Sequence, residues 1–270
     1  MTAFKWFRNH GPEVRYFWPT VKKKISTIKR LFSEKKYNLF FKAIWFHIYQ
    51  ILAGTNFHDI VFMPKYLSKY YNIPKEEFDI NVNLNFNEED EFFKNKLLNS
   101  KLYLEYGAGS STLLADRNNI PFYSLENNKN FYNALKPKLK NKNNLFLVNF
   151  GVVSSGSQPV LFSYRKFFLK NRANYYAKNI LDTLSSKGLV PDLILIDGRY
   201  RVLCALHVYK FLKKMNLSST IIIDDYNRPY LKVAENFFIG DVVGRFGVFN
   251  GIKDYDKIDE LIETYSYDYR

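Results

Sequence analysis

From residue 87 onward the chain alternates short apolar runs with longer segments of mixed apolar and polar residues. The apolar runs predict strands at residues 102–105, 122–125, 145–150, 192–196 and 220–223. The segments around them predict helices at residues 87–99, 110–117, 129–139, 175–186, 202–214, 230–238 and 256–264. Strands that alternate with helices form a parallel sheet covered on both faces. We therefore predict an α/β fold with a mostly parallel sheet, and a hairpin within residues 241–250 at its edge.

The first 80 residues differ in composition from the rest of the chain. Residues 1–70 contain 13 Lys and Arg against 3 Asp and Glu, whereas the remaining 200 residues contain 27 against 23. Aromatic residues are frequent in this segment, and residues 21–32 and 35–52 have helical patterns. We therefore predict two domains, a basic, aromatic, helical extension at residues 1–80 and an α/β domain at residues 81–270.

The charge of the extension suits an anionic partner such as a membrane surface, a nucleic acid or an acidic glycan, or else simply a solvated helix surface. Its most apolar run, residues 39–53, is interrupted by Lys42, His47 and Gln50 and is shorter than the ~20 residues of a spanning helix. The first ten residues lack the apolar core of a secretory signal. We expect a cytoplasmic protein whose extension could contact a membrane peripherally.

Cysteine and histidine usage excludes several kinds of site. Cys204 is the single cysteine, so the chain can form neither an intrachain disulfide nor a cysteine-based metal cluster. The four histidines are scattered without metal-ligand spacing. No Gly-Lys-Ser/Thr follows the glycine-containing turn at residues 107–109, which excludes a phosphate-binding P-loop.

That glycine-containing turn follows the first strand of the regular pattern. Residues 103–112 read Tyr-Leu-Glu-Tyr-Gly-Ala-Gly-Ser-Ser-Thr, so that the strand ends at Glu105 and a helix begins near Ser110. Gly107 and Gly109 allow a sharp turn and close approach of a ligand, and the helix start adds amide donors. Open α/β sheets bind ligands at such turns, at the carboxyl ends of their strands.

Glu126 ends the next predicted strand, where a carboxylate can accept hydrogen bonds from both hydroxyls of a ribose. The Glu-x-Gly-x-Gly-x-Ser segment, followed by Ser-Leu-Glu at residues 124–126, resembles class I S-adenosylmethionine-dependent methyltransferases. The resemblance implies a Rossmann-like, seven-stranded sheet with helices on both faces, and S-adenosylmethionine as the cofactor. The residues that it implies at the cofactor are Glu105, Gly107, Gly109, Ser110, Ser111, Glu126 and Asp197.

Two later strands end in acids, Asp197 after the first and Asp224 and Asp225 after the second. The carboxyl ends of parallel strands share one edge of the sheet, so the three carboxylates could hold a hard cation such as Mg²⁺, or serve as caps and edge residues without a metal. The pattern resembles metal-dependent small-molecule and sugar O-methyltransferases, including the macrocin type. This resemblance implies Asp197, Asp224 and Asp225 as metal ligands, and Asp197, Tyr200 and Asp225 as catalytic residues.

Arginines follow the same two strands. The Asp-Gly-Arg-x-Arg segment at residues 197–201 and the later Asp-Tyr-x-Arg-x-Tyr segment resemble methyltransferase-like proteins of bacterial polysaccharide gene clusters. Arginines at the mouth of a site can bind a carboxylate or phosphate with two hydrogen bonds, or can pair with the local aspartates. The resemblance implies an anionic acceptor such as a uronic acid, a sialic acid or a phosphorylated sugar. The implied substrate-binding residues are Arg199, Arg201, Tyr226, Arg228 and Tyr230.

The sequence therefore favours methyl transfer to a hydroxyl of a sugar, a glycan or another small, anionic acceptor. A nucleic-acid methyltransferase is a less favoured alternative, which the net charge of +14 supports. However, residues 197–200 read Asp-Gly-Arg-Tyr, where enzymes that methylate base amino groups often carry an Asn/Asp-Pro-Pro-Tyr-like tetrad. A third alternative is a catalytically inactive methyltransferase fold that acts as a scaffold at a membrane or in a complex.

Overall fold

The structure is a computed structural model that describes residues 88–150, 166–268 and 270, together with Tyr37 and Phe41. The chain divides into two compact units, Met1–Ile73 and Pro74–Arg270, and the second contains all the strands and helices whose bounds are given below. The extension predicted at residues 1–80 lies outside the described residues except for Tyr37 and Phe41, which are helical, so its role stays a prediction. None of the described helices combines the length and the apolar character needed to cross a membrane.

Helices and strands alternate along the described part of this unit. The strands are β1 (Tyr103–Tyr106), β2 (Phe122–Glu126), β3 (Leu145–Leu147), β4 (Leu193–Ile196), β5 (Thr220–Ile223), β6 (Phe238–Val243) and β7 (Phe246–Ile252). The α-helices are α1 (Glu88–Leu98), α2 (Ser110–Arg117), α3 (Lys129–Leu135), α4 (Lys166–Ser186), α5 (Arg201–Met215) and α6 (Ile258–Tyr265). A 3₁₀ helix, Pro229–Asn236, lies between β5 and β6.

The seven strands form one sheet with the order β3-β2-β1-β4-β5-β7-β6. Strands β1 to β5 are parallel, whereas β7 runs antiparallel between β5 and β6. The strand order reverses between β1 and β4, and open α/β sheets bind ligands at such a switch point. The register pairs Tyr106 with Ile196, so the turn after β1 and the acid after β4 meet there. The predicted seven-stranded α/β fold is confirmed.

The side chains of β1 point alternately to the two faces of the sheet. Leu104 and Tyr106 pack into one core with α4 and α5, whereas Tyr103 packs into a second core with α1 and α2. Eleven of the 15 residues of α5 are buried, and they include the single cysteine, Cys204. Because both faces are covered by apolar side chains, the polar groups at the carboxyl edge mark the place where a site can form.

Three of the described helices differ markedly from the sequence prediction in their bounds or type, and two of these differences occur at a proline. The helix predicted at residues 129–139 ends as α3 at Leu135 and continues as a 3₁₀ turn, because Pro137 has no backbone N–H to donate. The helix predicted at residues 230–238 is a 3₁₀ helix that begins with Pro229. Helix α4 begins at Lys166, well before the predicted start at residue 175.

Candidate active site

The chain turns sharply after β1 at Gly107, whose φ of 96° is a backbone conformation that glycine adopts readily. The N–H groups of Gly107 and Ala108 both donate to the carbonyl oxygen of Leu125, at 2.9 and 3.0 Å. A β-carbon on Gly107 would lie 2.6 Å from the backbone nitrogen of Gly198. The turn after β1 therefore passes directly against the backbone of the turn after β4.

Helix α2 starts immediately after this turn. Gly109 is its N-cap residue, and the Gly109 N–H donates to the hydroxyl of Thr112 at 2.9 Å. A β-carbon on Gly109 would meet no atom of the protein within 4 Å, so the space beside this residue is open. The N–H groups in the first turn of a helix point out of its N-terminus and favour negative charge there. The start of α2 can therefore face a bound ligand at close range.

The carboxylate of Glu105 is fully buried beneath the start of α2. Tyr103 donates to Glu105 Oε1 at 3.0 Å and Ser124 donates to Oε2 at 2.8 Å, and the hydroxyls of Ser111 and Thr112 donate to the same carboxylate. Burial raises the pKa of Glu105, and the hydroxyl donors oppose that rise. The carboxylate thus anchors the first turn of α2 from below.

Two cavities open at the carboxyl edge of the sheet and share Gly107, Ala108 and Asp197. The first, named here the Glu126 cavity, has a volume of about 210 Å³ and is also lined by Glu126, Asn127, Phe131, Gly198, Arg199, Arg201 and Arg228. The second, named here the Asp90 cavity, has a volume of about 230 Å³ and is also lined by Asp90, Phe93, Gly109, Ser110, Ser111, Leu195, Asp224, Arg245 and Phe246. Because the two cavities meet at the Gly107–Ala108 turn, one elongated ligand could occupy both.

Glu126 ends β2 at the wall of the cavity named after it. Its side chain is buried, and one carboxylate oxygen accepts the N–H groups of Asn127 at 2.8 Å and Asn128 at 2.6 Å. Burial raises the pKa of Glu126 to about 8, against the lowering effect of these two hydrogen bonds, and the charge of Glu105 adds to the rise. We therefore expect the Glu126 carboxyl group to lose its proton at about pH 8.

The acids after β4 and β5 come together, as the sequence predicted, since one oxygen each of Asp197, Asp224 and Asp225 lies within 4.8 Å of the others. Arg201, at the start of α5, donates to Asp197 Oδ1 at 2.7 Å and to Asp225 Oδ2 at 3.0 Å. Asp197 lines both cavities and keeps 42% of its side chain exposed. The partly enclosed position raises the pKa of Asp197, Arg201 opposes that rise, and Asp224 adds to it.

Two further arginines complete this arrangement. Arg228 forms an ion pair with Asp225. Arg245, in the turn between β6 and β7, lies 3.0 Å from Asp224 Oδ1 through its Nε and 3.1 Å from Asp90 Oδ1 through its Nη2. The Nε contact is an ion pair without hydrogen-bond alignment, since Asp224 Oδ1 accepts no hydrogen bond among the described residues. We name the six residues at the ends of β4 and β5 the Asp–Arg cluster: Asp197, Asp224, Asp225, Arg201, Arg228 and Arg245.

The structure does not bring the three predicted site tyrosines to the cavity walls. Tyr200 is fully buried in the core, with its ring edge-on to Phe150 at 5.5 Å. Tyr226 is also buried, and its hydroxyl donates to Glu235 at 3.1 Å. Tyr230 packs against the core, and the Arg270 guanidinium lies 4.8 Å from its ring. Tyr200 therefore occupies a packing position, and not the position of a base facing the cavities.

Other cavity residues were not identified from the sequence. Asp90 and Phe93 belong to α1, which precedes the glycine-containing turn, and Arg245 and Phe246 belong to the β6–β7 hairpin. The rings of Phe93 and Phe246 lie 6.1 Å apart, which joins these two distant segments on one side of the Asp90 cavity. A hairpin at the sheet edge was the available signal, but its register and the packing of α1 against it depend on the tertiary structure.

Comparison with known proteins agrees with this architecture. No protein-family model matches the chain, and no curated protein matches it. Among solved structures, the chain is similar to the crystal structure of a methyltransferase-like protein from Silicibacter pomeroyi DSS-3, with a TM-score of 0.56 and 20% sequence identity. The similarity covers 70% of this chain and all of that one. At this level of identity it shows the fold, which is the Rossmann-like fold of methyltransferases.

Proposed function

We propose that the chain is an S-adenosylmethionine-dependent methyltransferase that acts on a hydroxyl of a sugar, a glycan or another small, anionic acceptor. The observation that carries this proposal is the pair of cavities joined at the Gly107–Ala108 turn, with Glu126 in one of them. A cofactor with a nucleoside at one end and an amino acid at the other has the elongated shape that two joined cavities accommodate. The methyltransferase-like fold supports the same assignment.

The residues of the Glu126 cavity suit the nucleoside end of the cofactor. The carboxylate of Glu126 would accept hydrogen bonds from the ribose hydroxyls. Phe131 would add an apolar surface, and the absence of a side chain on Gly107 would let the ligand approach the backbone closely. Glu105, which the resemblance implied at the cofactor, would act through its hydrogen bonds to Ser111 and Thr112 in the first turn of α2.

The Asp90 cavity suits the cationic end of the cofactor. Three carboxylates line it, from Asp90, Asp197 and Asp224, against one guanidinium, from Arg245. This excess of negative charge would favour a ligand that carries a sulfonium and an ammonium group. The start of α2, with Ser110 and Ser111, would face the carboxylate of the amino-acid end.

The bound cofactor would supply an electrophilic methyl carbon, which forms a bond to the acceptor oxygen as its bond to sulfur breaks and the electron pair stays on the sulfur. The acceptor hydroxyl must lose its proton, and Asp197 is the carboxylate that lines both cavities and remains partly exposed. Arg201 donates to Asp197 Oδ1 at 2.7 Å, which would hold this carboxylate in place to accept the proton. The rest of the site would supply proximity and alignment.

Arg199 and Arg228 line the Glu126 cavity and follow β4 and β5. Because the nucleoside end of the cofactor would occupy this cavity, the acceptor would bind beside it, where the Arg228 side chain is 42% exposed. Guanidinium groups there would select an acceptor with a carboxylate or a phosphate, because both groups can accept two parallel hydrogen bonds. The acceptor class in the proposal, a uronic acid, a sialic acid or a phosphorylated sugar, rests on these two side chains.

Calorimetric titration of S-adenosylhomocysteine into the purified chain tests the cofactor assignment. At about pH 9, above the pKa of Glu126, we expect stoichiometric binding that Glu126→Gln weakens by about tenfold to a hundredfold, because a hydrogen bond to a charged group contributes about 1.5–3 kcal/mol. Glu260→Gln is the matched control, since Glu260 is exposed on α6. A folded protein that binds neither S-adenosylhomocysteine nor S-adenosylmethionine would contradict the proposal and favour the non-catalytic scaffold.

A further inference from the structure

The carboxylates of Asp197, Asp224 and Asp225 lie close enough together to be considered as ligands of a divalent cation. Whether they can bind one depends on the charged groups that contact them. A Mg²⁺ ion needs oxygen ligands at about 2.0–2.1 Å in an octahedral arrangement. Oxygens of Asp197 and Asp225, however, accept hydrogen bonds from neighbouring guanidinium groups, and Asp224 Oδ1 lies 3.0 Å from Arg245 Nε without accepting a hydrogen bond. The most enclosed of these guanidinium groups belongs to Arg201.

The guanidinium of Arg201 lies between the ends of β4 and β5, with only 8% of its side chain exposed. In addition to the carboxylates of Asp197 and Asp225, it donates to backbone carbonyl oxygens on both loops. Nη1 donates to Asp224 O at 2.6 Å, Nη2 to Asp197 O at 3.1 Å and Nε to Gly198 O at 3.2 Å. One side chain thus makes five hydrogen bonds that join the two loops.

The remaining contacts are ion pairs between the acids of the cluster and two further arginines, Arg228 and Arg245. Asp225 pairs with Arg228 as well as with Arg201, and Asp224 pairs with Arg245. Within the part of the chain that the structure describes, each of the three carboxylates therefore faces at least one guanidinium. A guanidinium stays protonated at every pH at which a protein is folded, so a metal ion that bridged Asp197 Oδ1 and Asp225 Oδ2 would have to displace the buried positive charge of Arg201.

We propose that Arg201 takes the place of a divalent cation, so that the acids at the ends of β4 and β5 form a metal-independent centre. Arg201 is a positioning residue: it holds Asp197 Oδ1 and fixes the carbonyl groups of both loops. The residues present do not fit the Mg²⁺ ion that the resemblance to metal-dependent O-methyltransferases implied. The inference concerns the cluster alone and does not depend on the proposed methyl transfer.

Mn²⁺ binding, followed by electron paramagnetic resonance of the free ion, tests the inference on the full chain without cofactor. Mn²⁺ is the probe because it prefers the same oxygen ligands as Mg²⁺. We expect no binding to the wild-type cluster, and a new Mn²⁺ site in Arg201→Met, where the carboxylates lose their buried cation. Arg228→Met is the control, because it removes a partly exposed partner of Asp225 and leaves Arg201 in place.

Binding is assigned to the cluster only when Asp225→Asn abolishes it. Stoichiometric Mn²⁺ binding to the wild type that Asp225→Asn abolishes would overturn the inference, and so would a folded Arg201→Met variant that gains no Mn²⁺ site. If Arg201→Met fails to fold, the thermal unfolding midpoint of the wild type is compared in Mn²⁺ and in EDTA. The same midpoint in both supports the inference. A rise in the midpoint with Mn²⁺ that Asp225→Asn removes overturns it. S-adenosylhomocysteine binding is measured separately, so failure of the cofactor proposal leaves this result readable.

Discussion

The backbone nitrogen of Gly198 lies 2.6 Å from the position that a β-carbon on Gly107 would occupy. Because the obstructing atoms are backbone atoms of the turn after β4, they cannot move aside as a flexible side chain would. We predict that Gly107→Ala destabilises the protein by at least about 1–3 kcal/mol, the usual cost of a non-glycine residue at such a φ. Urea unfolding followed by circular dichroism measures the change.

Gly109→Ala is the matched control for that substitution. Its β-carbon meets no protein atom, and the residue has an extended φ of −173°. We expect a loss of about 1 kcal/mol or less from the weaker N-cap, together with weaker S-adenosylhomocysteine binding, because Gly109 lines the Asp90 cavity and an added methyl group would occupy open space beside it. Equal destabilisation by the two substitutions would contradict the described contact between the turns.

Glu126 makes the stability of the ligand-free protein depend on pH. Folding raises its pKa from the ordinary value of 4.5 to about 8, so between these values the unfolded chain releases a proton that the folded chain keeps. Folding stability should therefore fall as pH rises through this window and level off above it. We predict that Glu126→Gln removes this cost and stabilises the protein, on the order of 5 kcal/mol at the alkaline end and not at all at the acidic end. Unfolding midpoints across the window measure the difference, and a Glu126→Gln gain that does not grow with pH would contradict the assignment.

The same carboxyl group predicts how cofactor affinity responds to pH. Ribose hydroxyls donate hydrogen bonds, so they favour the ionised form and binding should release a proton below pH 8. We predict that S-adenosylhomocysteine affinity rises with pH up to the pKa of Glu126, about 8, and is constant above it. Calorimetry in buffers with different ionisation enthalpies measures the proton release directly. Glu126→Gln should show neither the release nor the pH dependence, and an affinity that falls with rising pH would exclude this role.

Removal of the Glu105 carboxylate should affect both folding and the cofactor loop. Glu105→Ala would leave the buried hydroxyls of Tyr103, Thr112 and Ser124 without their shared acceptor, and buried groups without partners cost about 1–3 kcal/mol each. We predict a loss of about 3 kcal/mol or more, and weaker S-adenosylhomocysteine binding because the first turn of α2 loses its anchor. Ser124→Ala removes one of the four donors and should cost about 1 kcal/mol. If both variants unfold at the wild-type urea concentration, the carboxylate does not organise the loop.

The sequence resemblance implied both Asp197 and Tyr200 as catalytic residues, whereas in the structure Asp197 lines the two cavities and Tyr200 does not. In an assay of S-adenosylhomocysteine formation with an anionic sugar acceptor, Asp197→Asn should lower kcat by about a hundredfold or more, the usual contribution of a general base. Tyr200→Phe should leave kcat unchanged, because the ring is buried against Phe150 and does not line either cavity. A large loss of kcat in a Tyr200→Phe variant of normal stability would contradict this prediction and indicate that Tyr200 takes part in catalysis.

The sequence predicted the location of residues correctly where that location depends only on their position along a strand. Parallel strands place their carboxyl ends at one edge, so the meeting of Gly107, Glu126 and Asp197 around one edge could be predicted from spacing. The direction of a side chain was harder to predict. Glu105 lies on the face of β1 that α2 covers, and Tyr200, the N-cap residue of α5, packs its buried ring against Phe150. Both outcomes depend on packing that a single sequence does not display.

The contacts of the Asp–Arg cluster likewise could not be predicted from the sequence alone. The sequence offered two readings of the arginines, a substrate contact or a pairing with the local aspartates, and Arg201 follows the second. Arg245 reaches Asp224 from a hairpin turn that follows it by about 20 residues. Such a contact depends on the antiparallel placement of β7 beside β5, which local patterns do not specify.

Cys204 gives this site a built-in probe of local opening. It is the single cysteine of the chain, it is fully buried, and it lies three residues after Arg201, near the start of α5. A thiol-specific reagent can reach its sulfur only when this part of α5 separates from the core, so the labelling rate reports the free energy of that opening. The unmodified chain can therefore show, without a fluorophore or an added mutation, whether a ligand at the carboxyl edge of the sheet holds α5 closed.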